Sequence, residues 1–120
     1  MVPGRKAARQ ASIDEVAEKT IKCLKACVPS AVPGIAYLSG GQSDEDATAH
    51  LSRMNEIGGF PWKMTFSYGR ALQAPALKAW KGQAANVAAA QKALLHRSKC
   101  NSAACSGRYT AALEKEVLTA

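Results

Sequence analysis

Two short apolar runs each end in a glycine-bearing turn that opens a helix. Ile35 to Leu38 runs into the turn Ser39 to Ser43, and Met64 to Phe66 runs into Ser67 to Arg70. The leading serines stand 28 positions apart, 67 against 39. About 250 residues build eight strand-helix units in a (β/α)8 barrel, roughly 30 per unit, so the spacing reads as two consecutive barrel units. Each turn also offers what a phosphate group needs: backbone N–H groups that glycine lets approach closely, a serine hydroxyl, a helix N-terminus and, in the second turn, an arginine. In barrels the loops after the last two strands frequently hold phosphate at the C-terminal face.

The flanking sequence supports helices around these strands. Ser12 followed by Glu15 forms a capping box, and Ile13, Val16, Ala17, Ile21 and Leu24 recur at helical spacing up to about Cys27. Ser43, followed by acids at 44, 45 and 46, opens a second helix to about Ile57. A third is expected from the Ser67 to Arg70 turn to about Trp80. Gly82 then divides it from an alanine-rich helix, Ala84 to Lys99, with a short segment closing near Gly107 and a helix-compatible tail from Thr110. Two parallel strands cannot close a barrel and would leave edges and apolar faces open. The expectation is therefore the final quarter to third of a larger protein, with Met1 and Val2 as the end of a preceding strand.

Composition narrows the partners. Of 120 residues, 48% are hydrophobic and 21% charged, an ordinary globular balance. No apolar stretch approaches the 18 or so residues that span a bilayer, and no secretory signal is evident. No membrane association is expected, and the cytoplasm is the expected compartment. Arg5, Lys6 and Arg9 without an acid suit a transit peptide only superficially. A net charge of +7 raises nucleic acid as a partner, but the basic residues are scattered among acids and no recognition module accompanies them. No nucleic acid is expected on that ground. Cys23, Cys27, Cys100 and Cys105 lack the paired spacing of structural zinc sites. They read as reduced thiols, with Cys23 and Cys27 packed one helical turn apart. His50 and His96 lie within helices without a triad and read as surface or packing residues.

With VPGIAYLSGGQSDEDAT (Val32 to Thr48) and PWKMTFSYGRALQAPALKAW (Pro61 to Trp80) in view, the chain resembles the C-terminal part of a class I fructose-bisphosphate aldolase. The match runs from Met1 to about Tyr109, leaving 110–120 as a tail, and includes EVAEKT, VPSAVPG and NVAAAQKALLHR. The resemblance implies an α/β fold, the part of a TIM barrel holding strands 7 and 8 with flanking and C-terminal helices. It implies a lyase of glycolysis and gluconeogenesis that reversibly cleaves fructose 1,6-bisphosphate to dihydroxyacetone phosphate and glyceraldehyde 3-phosphate through a lysine Schiff base, with no metal or other cofactor. Carried over by position, Ser39, Gly40 and Gly41 are the phosphate-holding loop after strand 7, and Gly69 and Arg70 are the other half of the clamp. Ser67 and Tyr68 line the same turn as secondary candidates. Full-length members form homo-tetramers, and the plastid is the alternative compartment.

Three departures qualify this. The family's Schiff-base lysine, in a Lys-Pro-Asn-Met-Val segment, would fall just upstream of Met1, so no catalytic residue is expected in this chain and no activity of the chain alone. Lys81 stands where the family more often has glycine, and the chain ends without the C-terminal tyrosine of some members. Lys63 cannot replace the missing lysine: it shares a strand face with Ser67 but lies roughly 13 Å below it, four residues at about 3.3 Å each. The residues admit two other readings. LSGGQS also resembles the signature loop of ATP-binding cassette domains, but a G-x-x-x-x-G-K-[ST] loop and a strand ending in Asp-Glu are lacking. The alternative to an enzyme part is a non-catalytic basic nucleic-acid-binding or interaction protein derived from an aldolase.

Overall fold

A computed structural model describes residues 1–116. The Ser12 hydroxyl accepts from the Glu15 N–H at 3.2 Å and caps α1 (Ile13–Cys27), supplying a partner that a helix start otherwise lacks. Val16, Ala17, Thr20 and Ile21 form the buried face. Cys23 and Cys27 fall outside it and are exposed, which corrects the expectation of packed thiols on this helix. The buried cysteine is Cys100, on a later helix.

β1 (Gly34–Tyr37) and β2 (Lys63–Phe66) pair in parallel, Gly34 opposite Lys63 and Tyr37 opposite Phe66. Parallel neighbours require a crossover, and α2 (Asp44–Ile57) provides it. Side chains alternate across a strand. Met64 is therefore buried with Ala17, Ile21, Leu51, Met54, Trp62 and Ala104 in the main core, whereas Lys63 and Thr65 are exposed on the other face. Trp62, 4% exposed, donates its indole N–H to the Pro29 carbonyl at 2.9 Å. That bond ties the end of α1 to the foot of β2.

α3 (Arg70–Trp80) and α4 (Val87–Ala104) follow, linked through Lys81, Gly82 and a 3-10 turn over Ala84–Asn86. α4 starts later and ends later than expected. It continues past Lys99 because Cys100, Asn101 and Ala104 are buried on its inner face, so packing holds the last turn. Lys81 does more than alter a surface turn. It caps α3 with φ 53°, the sole non-glycine residue with positive φ among the described residues. A side chain in this region costs about 1–2 kcal/mol that glycine avoids, offset in part by glycine's larger unfolded-state entropy. Lys81→Gly is therefore expected to stabilise the chain by about 0.5–1 kcal/mol, read as an upward shift of the urea midpoint with unchanged slope; a downward shift would refute the strain.

Beyond Tyr109 the chain folds back. Thr110 caps the short α5 (Ala111–Glu114), and the Glu114 carboxylate takes two bonds from the Arg97 guanidinium, at 2.5 and 3.0 Å, and one from the Tyr109 hydroxyl at 2.7 Å. Arg97, 2% exposed, also donates to Thr48 Oγ1 at 2.9 Å. Part of the tail read from Thr110 is thus joined to α2 and α4, while 117–120 lie outside the described residues.

Candidate functional site

Parallel strands release their following turns at the same end, so the register sets the turn after Tyr37 beside the turn after Phe66, on strands about 4.8 Å apart. The Ser67 N–H donates to the Tyr37 carbonyl at 2.7 Å, extending the ladder one step beyond β2. Both turns are therefore fixed to the sheet.

In the first turn the Ser39 carbonyl accepts from the Gln42 N–H at 3.0 Å, and the residues between, Gly40 and Gly41, have φ 56° and 79°. Two successive positive φ angles characterise a I′ type of turn, which explains the glycine pair. The Gln42 side chain reinforces it: Nε2 donates to the Ser39 carbonyl at 2.6 Å, and Oε1 lies 2.6 Å from His50 Nδ1. Burial holds the His50 imidazole below its usual value of 6.5, against the opposite pull of the Asp46 carboxylate, so the ring is neutral at pH 7. Ser43 then caps α2, its hydroxyl accepting from the Asp46 N–H at 3.0 Å. Asp44, Glu45 and Asp46 complement the positive end of that helix.

The second turn is electrostatically the reverse. α3 starts at Gly69 with no side-chain cap and no acid in its first turn, and its first residue is Arg70. A cation at a helix N-terminus opposes the macrodipole. Arg70 is exposed and makes no ion pair among the described residues. An anion at this end would answer the guanidinium and the uncapped N–H groups together.

The sequence candidates thus divide. Ser39, Gly40, Gly41, Ser67, Gly69 and Arg70 all lie at this end of the sheet. Tyr68 is corrected: it is 7% exposed, and its hydroxyl donates to the Ala47 carbonyl at 2.7 Å. Burial raises its pKa further above the ordinary 10. Its side chain locks α2 to the second turn and cannot turn toward a ligand without abandoning that bond.

Sequence reasoning missed two neighbours. A cavity of about 610 Å³ beside Gly40 and Gly41 is also lined by Arg5 and His50. Asp46 and His50 sit one turn apart on α2, a signal that could have placed His50 near the loop. Arg5 offered none, being 36 residues from Gly41, yet its guanidinium donates to the Gly41 carbonyl at 2.6 Å. Elsewhere His96, Cys100 and Glu114 bring metal-ligand atoms within 4.8 Å of one another. There the Arg97 guanidinium already occupies the carboxylate, and His96 Nε2 lies 3.0 Å from the Glu114 carbonyl.

Glycine turns side by side at the C-terminal end of parallel strands, one of them opening an uncapped helix on arginine, define an α/β scaffold. Comparison with known proteins is specific. The family model for fructose-bisphosphate aldolase class-I matches residues 1–119, and the chain belongs to that family. It is 56% identical over 110 residues to fructose-bisphosphate aldolase 2 of Caenorhabditis elegans, covering 91% of this chain and 30% of that protein. It is 48% identical over 101 residues to fructose-bisphosphate aldolase of Dictyostelium discoideum, covering 84% and 28%. The ternary co-crystal structure of fructose-bisphosphate aldolase from Plasmodium falciparum with TRAP and a small-molecule inhibitor matches with a TM-score of 0.86 at 44% identity, over 89% of this chain and 31% of that one. The chain thus spans about a third or less of the relatives it matches.

Proposed function

We propose that this chain forms the strand 7, strand 8 and C-terminal helical part of a (β/α)8 class I aldolase and supplies its substrate-phosphate clamp. Ser39, Gly40 and Gly41 form one side, and Gly69 and Arg70 the other, around a phosphate of fructose 1,6-bisphosphate or of a triose phosphate. The observation that carries this reading is Arg70 at the first position of an uncapped, acid-free helix start beside the glycine turn. A planar guanidinium grips two phosphate oxygens and fixes the sugar, a positioning contact that sets the ketose carbonyl for attack by the Schiff-base lysine of the family. Lys63 does not fill that role, because it lies at the opposite end of β2.

Arg70→Lys keeps the charge but loses the fork. The dissociation constant of the 120-residue chain for fructose 1,6-bisphosphate, measured calorimetrically, is expected to rise about tenfold, the worth of one charge-assisted hydrogen bond. Unchanged affinity would remove Arg70 from the clamp. Borohydride treatment with dihydroxyacetone phosphate is expected to leave the chain unmodified; a stable adduct would place a Schiff-base lysine within it.

A further inference from the structure

We propose that His50 is a positioning residue for the Gly40–Gly41 turn: held as its Nδ1–H tautomer, it fixes the Gln42 amide, which in turn keeps the Ser39 carbonyl closed against an incoming phosphate. This rests on the phosphate reading above. The donor and acceptor roles along the relay are forced by its first member. A carbonyl only accepts, so the Gln42 atom 2.6 Å from the Ser39 carbonyl is the amide nitrogen Nε2. The amide oxygen Oε1 is thereby left facing His50 Nδ1 at 2.6 Å. That oxygen has no proton to give. His50 Nδ1 must carry the hydrogen, and in the neutral ring Nε2 is then bare.

The relay has a consequence for an anion. The Ser39 carbonyl has two lone pairs, and Gln42 engages it twice, through its backbone N–H at 3.0 Å and through Nε2. Ser39 is 8% exposed. A carbonyl oxygen aimed at a phosphate repels it, whereas N–H groups attract it, so a phosphate-holding turn must keep its own acceptors occupied. Gly40 and Gly41 also carry the greatest backbone freedom of any residue type. A turn already ordered binds more tightly than one that must be ordered by the ligand. His50 stands on α2, a helix capped by Ser43. The relay therefore ties the glycine turn to a rigid element outside its own flexible span.

Two measurements on the full 120-residue chain test this. Two-bond nitrogen–proton NMR correlations of the imidazole are expected to show the Nδ1–H tautomer of His50 at neutral pH; the Nε2–H tautomer would overturn the proposal. Calorimetric titration with inorganic phosphate and with fructose 1,6-bisphosphate supplies the second readout. His50→Leu is expected to weaken binding about fivefold, the worth of one neutral hydrogen bond. His50→Asn, whose side-chain amide keeps an N–H donor close to the Nδ1 position, should recover most of that loss. In a Gln42→Ala background the relay is already cut, and His50→Leu should there have no further effect. A loss that Asn does not recover, or that persists undiminished in Gln42→Ala, would make His50 a packing residue and overturn the proposal. Arg70→Met separates the two readings: if it weakens binding while His50→Leu does not, the clamp stands and His50 leaves it. If the wild-type chain binds neither compound, or Arg70→Met has no effect, the clamp reading falls and the positioning role with it.

Discussion

Arg97→Met is expected to destabilise the chain by about 3–5 kcal/mol, the cost of breaking a buried ion pair by removing one partner. The guanidinium is 2% exposed and joins three elements, donating to the Glu114 carboxylate of α5 on one side and to Thr48 Oγ1 of α2 on the other. Thr48 is itself 0% exposed and donates to Asn101 Oδ1 at 2.6 Å. Methionine fills much of the volume but leaves Glu114 and Thr48 without their cationic donor. The effect should depend on pH. Partial burial pushes the Glu114 pKa up, but the Arg97 and Tyr109 hydrogen bonds and the Arg97 and His96 charges hold it below its ordinary 4.5. Stability from such a depressed carboxylate is complete above the unfolded pKa and is lost as pH falls through the folded one. Urea denaturation should therefore show the full gap between wild type and Arg97→Met at neutral pH and a narrower gap at about pH 3. A gap of constant size would mean that Arg97 acts through its packed stem and not through Glu114.

The places where sequence foretold structure share a physical cause. The caps at Ser12 and Ser43 and the ends of α1 and α2 are set by interactions within a few residues, so local pattern suffices. The glycine turn after β1 and the start of α3 were legible for the same reason: glycine at positive φ and a helix start are local features. What escaped depends on distant partners. Arg97 stands in a stretch with Lys92 and Lys99 and reads as one more solvated cation; only the return of α5 buries it. Tyr68 was placed in the right turn, but its orientation depends on α2, whose Ala47 carbonyl lies 21 positions away. The last turn of α4 is held by burial against the core, information that helical spacing alone does not contain.

Gly107→Ala tests the same docking from the backbone side and is expected to cost about 2–5 kcal/mol. Gly107 has φ 64°, where a side chain costs about 1–2 kcal/mol. A Cβ here would also lie 2.9 Å from the Glu56 nitrogen, 3.0 Å from its Cα and 3.2 Å from the Asn55 carbonyl carbon. These are backbone atoms of α2, which no rotamer change can move, so the overpacking adds about 1–3 kcal/mol. Gly82→Ala supplies the control: φ is 71° but nothing lies within 4 Å, leaving the conformational cost alone. Equal urea midpoints for the two variants would show that α2 yields freely at this crossing. The crossing matters because the Tyr109 N–H, two residues on, donates to Ser52 Oγ at 3.2 Å, and Tyr109 and Glu114 then close on Arg97. If α2 holds its place, the clash must displace the segment that carries Glu114. The double variant Gly107→Ala, Arg97→Met should then be less unstable than the sum of the single changes, since the first has already loosened the partner whose loss defines the second. Strict additivity would separate the backbone crossing from the ion pair and assign α5 two independent anchors.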